Sequence, residues 1–160
     1  MTYRLLLVAH LLGTVAFFGN LVAALFWQAR AARTREPAVV AWAFRTIHAG
    51  DLWITPIAVG ALLASGVGLA LVTGRSILGT GWLLWSTAAF FFSGLVFVVR
   101  VLPIQRRIAR WTEGEAAAGR LDWERYARDS RRWATPAHAS LGLALLALVL
   151  MAAKPDLPAF

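Results

Sequence analysis

Cysteine is absent from the 160 residues, charged residues make up only 15% of them, and there are two methionines, Met1 and Met151. The lack of cysteine excludes disulfides and thiolate metal sites. The scarcity of charge, beside 59% hydrophobic residues and a mean hydropathy of +0.65, leaves too little polar surface for a soluble domain and indicates an integral membrane protein. Also missing are a phosphate-binding glycine loop, a dinucleotide fingerprint, a nucleophile elbow and an HExxH metal motif, so no catalytic residue and no metal site is assigned. No internal repeat or polar low-complexity tail is visible.

What the chain does have is long apolar sequence. A helix needs about 20 apolar residues to cross the hydrocarbon, and four stretches qualify, near 4–28, 53–73, 82–102 and 136–153. The expected fold is therefore all-α, a single transmembrane four-helix bundle over residues 1–160. The first stretch follows Arg4 as a signal peptide would, but it exceeds the roughly 7–15 apolar residues of such a segment, and it is read as a retained helix.

The formal charge of +8 is distributed by topology. Arg30, Arg33, Arg35 and Arg45 lie between the first two stretches. Arg106, Arg107, Arg110, Arg120, Arg125, Arg128, Arg131 and Arg132 lie between the last two, with Arg100 at the end of the third. Only Arg4, Arg75 and Lys154 fall on the other side, which makes 13 basic residues against 3. The positive-inside rule then puts both termini outside, as in a bacterial cytoplasmic membrane protein. The excess points to anionic lipid headgroups rather than to nucleic acid. Tyr3, Trp82 and Trp85 mark the outer interface, and Trp27, Trp53, Trp111, Trp123 and Trp133 the inner one.

Two inner segments carry further pattern. Residues 37–50 are too apolar for a loop, and Pro37 suits a first helical turn, so a helix is expected to lead into the second span, bent at Gly50 and Pro56 or continuous through them. Residues 103–135 form a basic amphipathic segment, expected as two helices and a turn broken at Gly114 and Gly119, with Asp122 as an N-cap. Trp123, Tyr126, Ala127, Ser130 and Trp133 follow helical spacing away from most of the arginines, as in a helix lying on the inner membrane surface; a partner-docking helix has the same pattern. In the second span Gly60, Ala64 and Gly68 recur every four residues and are expected to admit a neighbouring helix of the same chain.

Ionisable groups inside a membrane domain are the natural functional candidates. At about 100° per residue His10, Thr14, Phe17, Leu21, Ala24 and Gln28 share one face of the first helix, which should turn into the bundle because lipid offers no hydrogen-bond partner. His48, Asp51 and Thr55 share a face of the second helix, and His138 starts the fourth at comparable depth. Asp51 has two sets of candidate partners, either imidazole or Arg45 and Arg100. At about 1.5 Å per residue, His10 lies roughly 10 Å below the outer boundary and His138 some 20 Å below it, so they do not pair. A haem b would take His48 with His138, or His10 with a ligand other than histidine. Each histidine also has a plainer role open to it, His10 as a structural hydrogen-bonding group and His48 and His138 as ordinary interfacial residues.

The run His10-Leu-Leu-Gly-Thr-Val-Ala-Phe-Phe-Gly19, the run Pro103-Ile-Gln-Arg-Arg-Ile108 and the closing Leu150-Met-Ala-Ala-Lys-Pro155 resemble the domain-of-unknown-function 2269 family of bacterial integral membrane proteins. More distantly the chain is similar to the CopD and HemJ-type membrane proteins, which also begin on a histidine followed by small and aromatic residues. The HemJ resemblance implies haem b on His10 and protoporphyrinogen oxidation. The Pro-Arg-Leu-Phe segment that goes with it is replaced here by Phe26-Trp-Gln-Ala-Arg-Ala-Ala-Arg33. CopD-like copper handling implies further methionine or histidine ligands, and the chain has only two methionines beside its three histidines.

Three functions follow as expectations: a redox role with haem b centred on His10, a non-catalytic accessory subunit of a larger membrane complex, and a small transporter using His10, Thr14, Asn20 and Gln28.

Overall fold

The computed structural model describes residues 1–160, and no strand occurs among them. Five α-helices follow in order: α1 Thr2–Thr34, α2 Pro37–Val72, α3 Gly81–Val96, α4 Leu102–Ala117 and α5 Trp123–Ala153. A π-turn, Phe97–Val101, joins α3 to α4, so that Gly81–Ala117 is one continuous rod. The four rods are 33, 36, 37 and 31 residues long. At about 1.5 Å per residue each runs some 45–55 Å, against about 30 Å of hydrocarbon. All four can cross a membrane, and all four are longer than the crossing requires.

The chain therefore runs up and down four times and brings both termini to one end, opposite the arginine-rich end. α1 packs along α2, α3 along α5, and α4 against α2. The excess length is used at the arginine-rich end. There Val40, Phe44, Ile47, Ile108, Tyr126 and Trp133 build the larger of two apolar cores, drawn from α2, α4 and α5 with Ala24 and Ala31 of α1. The smaller core, Phe17, Leu21, Ala58, Leu62 and Ala144, holds the rods together between the apolar stretches. Around it Leu12, Val15, Ile57, Leu63, Phe91 and Val98 point outward uncovered, as a lipid-facing belt does.

Several expectations survive and several change. The helix over 37–50 runs without interruption into the second span, through Gly50 and Pro56. The turn before α5 falls at Gly119, whose φ of +68° favours glycine, and the Asp122 side chain caps α5 by accepting from the Arg125 amide at 2.9 Å. Gly114 interrupts nothing, being internal to α4. Much of the apolar face of the amphipathic segment is turned into the protein. The segment extends the third and fourth rods, and Tyr126 and Trp133 are buried against the protein's own core. Trp133, expected at the interface, is 1% exposed.

The small-residue stripe of α2 also changes. Gly60 has nothing within 4 Å of where a Cβ would stand, and Gly60 and Ala64 are exposed. The approach of α1 to α2 instead uses Gly13, whose added Cβ would lie 3.2–3.3 Å from Leu62 and the Ala58 carbonyl, and Gly68, which meets Leu6. Of the expected stripe only Gly68 lies against a neighbouring helix.

At the terminal end the residues after α5 fold back over the start of α3. The Trp85 indole donates to the Pro158 carbonyl at 3.1 Å and the Phe160 amide to the Leu78 carbonyl at 3.1 Å. Arg75 and Lys154 both lie over the Trp82 ring.

Candidate functional site

The site is built around Asp51, a carboxylate 6% exposed. It is the fifteenth residue of α2, at the arginine-rich border of the apolar stretch beginning near residue 53. Asn20 of α1 donates its amide Nδ2 to Asp51 Oδ1 at 2.9 Å and to Thr55 Oγ1 at 3.0 Å. Thr55, one turn along α2, donates to the same Oδ1 at 3.3 Å. Gln105 of α4 donates Nε2 to Asp51 Oδ2 at 2.8 Å. The Trp133 indole of α5 donates to Gln105 Oε1 at 3.0 Å. His48, three residues before Asp51 on the same face, places Nδ1 3.5 Å from Gln105 Nε2. All four rods thus contribute to one polar cluster inside an apolar bundle.

No cation is within ion-pair distance of Asp51. Arg45 reaches Glu113 at 3.3 Å instead, and Arg100 is exposed on the π-turn. Burial disfavours the anion while three neutral donors favour it, so the charge state is left to a balance of opposed influences. A cavity of about 10 Å³ borders Asp51, Gln105, Trp133 and the π-turn residues Phe97 and Val101, the room one water occupies.

The π-turn explains why Gln105 is in the cluster. Above it Ser86, Ala89 and Ser93 are the buried positions; below it they are Val101, Gln105, Ile108 and Thr112. In a regular helix position 100 would continue the face of Ser93, within about 20°, and position 105 would lie roughly 120° away. The extra residue of the π-turn turns Arg100 outward and Gln105 inward. Gly50 completes the arrangement from α2. A Cβ there would stand 2.6 Å from Asn20 Oδ1, so only glycine leaves Asn20 its place beside Asp51.

The three histidines are not brought together. His10 is half-buried nearer the terminal end, its Nδ1 3.0 Å from Ser65 Oγ and its ring edge against Gly66. His48 joins the Asp51 cluster through Gln105. His138 is exposed, with Nδ1 2.7 Å from the Ala134 carbonyl of its own helix. His48 and His138 share no partner, and no group of three His, Cys, Asp or Glu side chains is arranged to hold a metal ion. Of the two ring nitrogens of His10, Nδ1 is the one held by Ser65. The expected inward face of α1 is present: Phe17, Leu21 and Ala24 are buried, and His10, Thr14 and Gln28 half-buried beside them.

Sequence reasoning found His48, Asp51 and Thr55 on one face but missed Gln105 and Trp133. Their signal was weak yet real: a glutamine beside two arginines and a tryptophan beside two more, each lying at an apolar stretch's edge.

Compared with known proteins, the chain matches no curated protein and no solved structure. It matches one family model, described as a predicted integral membrane protein (DUF2269), over residues 4–155. With nearly its whole length matched and four rods able to cross a membrane, the chain belongs to the DUF2269 family of predicted integral membrane proteins.

Proposed function

We propose that this is a proton-handling membrane protein of the transporter class, in which Asp51 takes up and releases the proton. The observation that carries the reading is a buried carboxylate held by three uncharged donors with no cationic partner. A structural ion pair would bring an arginine to it, and thirteen stand at that end of the molecule. Uncharged donors favour the anion less strongly than an arginine would, which leaves the carboxyl able to gain and lose a proton. Toward the terminal end the next polar side chains are Thr14 and His10 on α1 and Ser65 on α2, beyond the apolar Phe17, Leu21, Ala58 and Leu62, and in this reading the proton passes between the two polar groups. In this reading the arginine-rich end lies on the cytoplasmic side of a bacterial inner membrane, against anionic headgroups, with both termini outside.

The test is proton flux into phosphatidylethanolamine–phosphatidylglycerol vesicles containing the purified protein and an enclosed pH-sensitive dye, driven by a valinomycin-clamped potassium gradient. Flux above that of empty vesicles, lost in Asp51→Asn, supports the reading. Flux equal in the wild type and in Asp51→Asn overturns it.

A second reading rests on His10, whose Nδ1 contact with Ser65 orients the ring as a ligand's neighbour would. Bound haem b would supply one-electron chemistry. A Soret band in protein purified from its native membrane, lost in His10→Ala, supports this reading, and a featureless visible spectrum removes it.

A further inference from the structure

Resting on the reading of Asp51 as the proton-exchanging group, we infer that Trp133 is a positioning residue that sets the pH at which Asp51 exchanges its proton, acting through the orientation of the Gln105 amide.

An indole nitrogen can only donate. Trp133 is 1% exposed and its Nε1 lies 3.0 Å from Gln105 Oε1, so that end of the amide must be the oxygen. Gln105 is itself fully buried, and its NH₂ end is thereby turned to Asp51 Oδ2 at 2.8 Å. An amide in this orientation donates to Asp51 and cannot accept from it. It therefore favours the carboxylate over the acid. Turned the other way, the same amide would present Oε1 to Asp51, accept its O–H and favour the acid instead. The indole N–H decides which of the two a neutral glutamine does.

The surroundings leave little else to decide it. On α1 the group facing Asp51 is Asn20, which does not titrate. On α2 it is Thr55, with His48 in reach of the same Gln105 nitrogen and Arg45 one turn further on, exposed and paired with Glu113. On the third rod Arg100 and Arg106 flank Gln105 but are exposed. On α5 Arg132 and His138, one residue before and five after Trp133, are exposed too. His48 at 3.5 Å is a second, longer anchor for the NH₂ end, present while Nδ1 carries no proton.

Loss of the indole donor has a definite sign. In Trp133→Phe the aromatic core contact with Phe44 is retained while the N–H is gone, so the amide is free to turn and offer its oxygen. Asp51 then loses a donor to its anion and gains an acceptor for its acid, and both changes raise the pH at which it releases the proton. A rise of about one pH unit or more is expected.

The experiment is infrared difference spectroscopy of the full-length protein in lipid vesicles as a function of pH, following the protonated carboxyl band that Asp51→Asn removes. Trp133→Phe should raise the band's midpoint by about one unit or more, and Gln105→Met, which has similar length and no donor, should raise it too. In the Gln105→Met background Trp133→Phe should cause no further rise, because the amide through which Trp133 acts is gone. A midpoint unchanged in Trp133→Phe, or an equal additional rise in the double variant, overturns the inference while leaving Asp51 a titrating group. Absence of any band that Asp51→Asn removes overturns the underlying reading, and the inference with it.

Discussion

Gly50→Ala is the substitution whose effect can be worked through from geometry to sign. The new methyl group would stand 2.6 Å from Asn20 Oδ1, closer than such atoms approach, and Asn20 is a short side chain tied by both of its hydrogen bonds. It has to leave, and Asp51 keeps only Thr55 and Gln105. A hydrogen bond to a charged group contributes about 1.5–3 kcal/mol, and one in a membrane bundle about 0.6, which brackets the loss at about 2–4 kcal/mol for the two. Replacing glycine by alanine within a helix returns about 0.5–1 kcal/mol. The net expectation is a destabilisation of about 1–3 kcal/mol. The decisive comparison is made in an Asn20→Ala background. With Asn20 gone nothing opposes the new methyl, and the same Gly50→Ala change should now stabilise by about 0.5–1 kcal/mol. The assay is reversible unfolding in mixed micelles at increasing dodecyl sulfate fraction, followed by tryptophan fluorescence, for the four members of the cycle. If Gly50→Ala has the same sign in both backgrounds, Gly50 is not there to make room for Asn20 and the reasoning fails.

Other positions give contrasting outcomes. Gly60→Ala meets open space and should leave stability unchanged or raise it by about 0.5–1 kcal/mol in the same unfolding assay; a loss above about 1 kcal/mol would mean that this face is packed. Gly81→Ala would place its methyl on the Leu157 carbonyl and should release the segment after α5 while the rods persist, seen as faster proteolysis confined to residues 154–160. Ser93 and Ser140 exchange hydrogen bonds between α3 and α5, each hydroxyl reaching the other's carbonyl at 2.7 and 3.0 Å. Ser140→Ala should cost about 0.5–1.5 kcal/mol, and an unchanged midpoint in its unfolding curve would show the pair to be idle.

The number of rods was legible because it depends on composition over windows of some twenty residues, whereas their ends were not, since the rods run on past the apolar stretches. The Asp122 cap and the Gly119 turn were legible because their chemistry is local. What could not be read was which faces meet. Of Gly60, Ala64 and Gly68 only Gly68 meets α1, with Gly13 of α1 making a further close approach, and the period alone does not say which member of the stripe is used. The amphipathic face of α5 was plain from Trp123, Tyr126 and Trp133, yet a core and a membrane surface attract the same side chains, and the choice was made by the extended α2 and α4 standing beside it. Gln105 was hidden for a stricter reason. A regular helix through residues 86–112 turns Arg100 inward and Gln105 aside, and the single residue inserted at the π-turn reverses this without any mark in the sequence. Asp51 itself was visible with His48 and Thr55, but neither of its expected partners, an imidazole or an arginine, bonds to it; amides from two neighbouring rods, Asn20 and Gln105, do so instead.

The account stands on Asp51 changing its protonation, and the most direct measurement is the infrared difference spectrum between acidic and alkaline pH for the wild type and Asp51→Asn in lipid vesicles. The account predicts a carboxylic acid band that appears as pH falls and is missing from Asp51→Asn alone, with the bands of the exposed carboxylates unchanged. Identical difference spectra for the two proteins would mean that Asp51 holds one charge state throughout, as a polar tie between helices, and would contradict it.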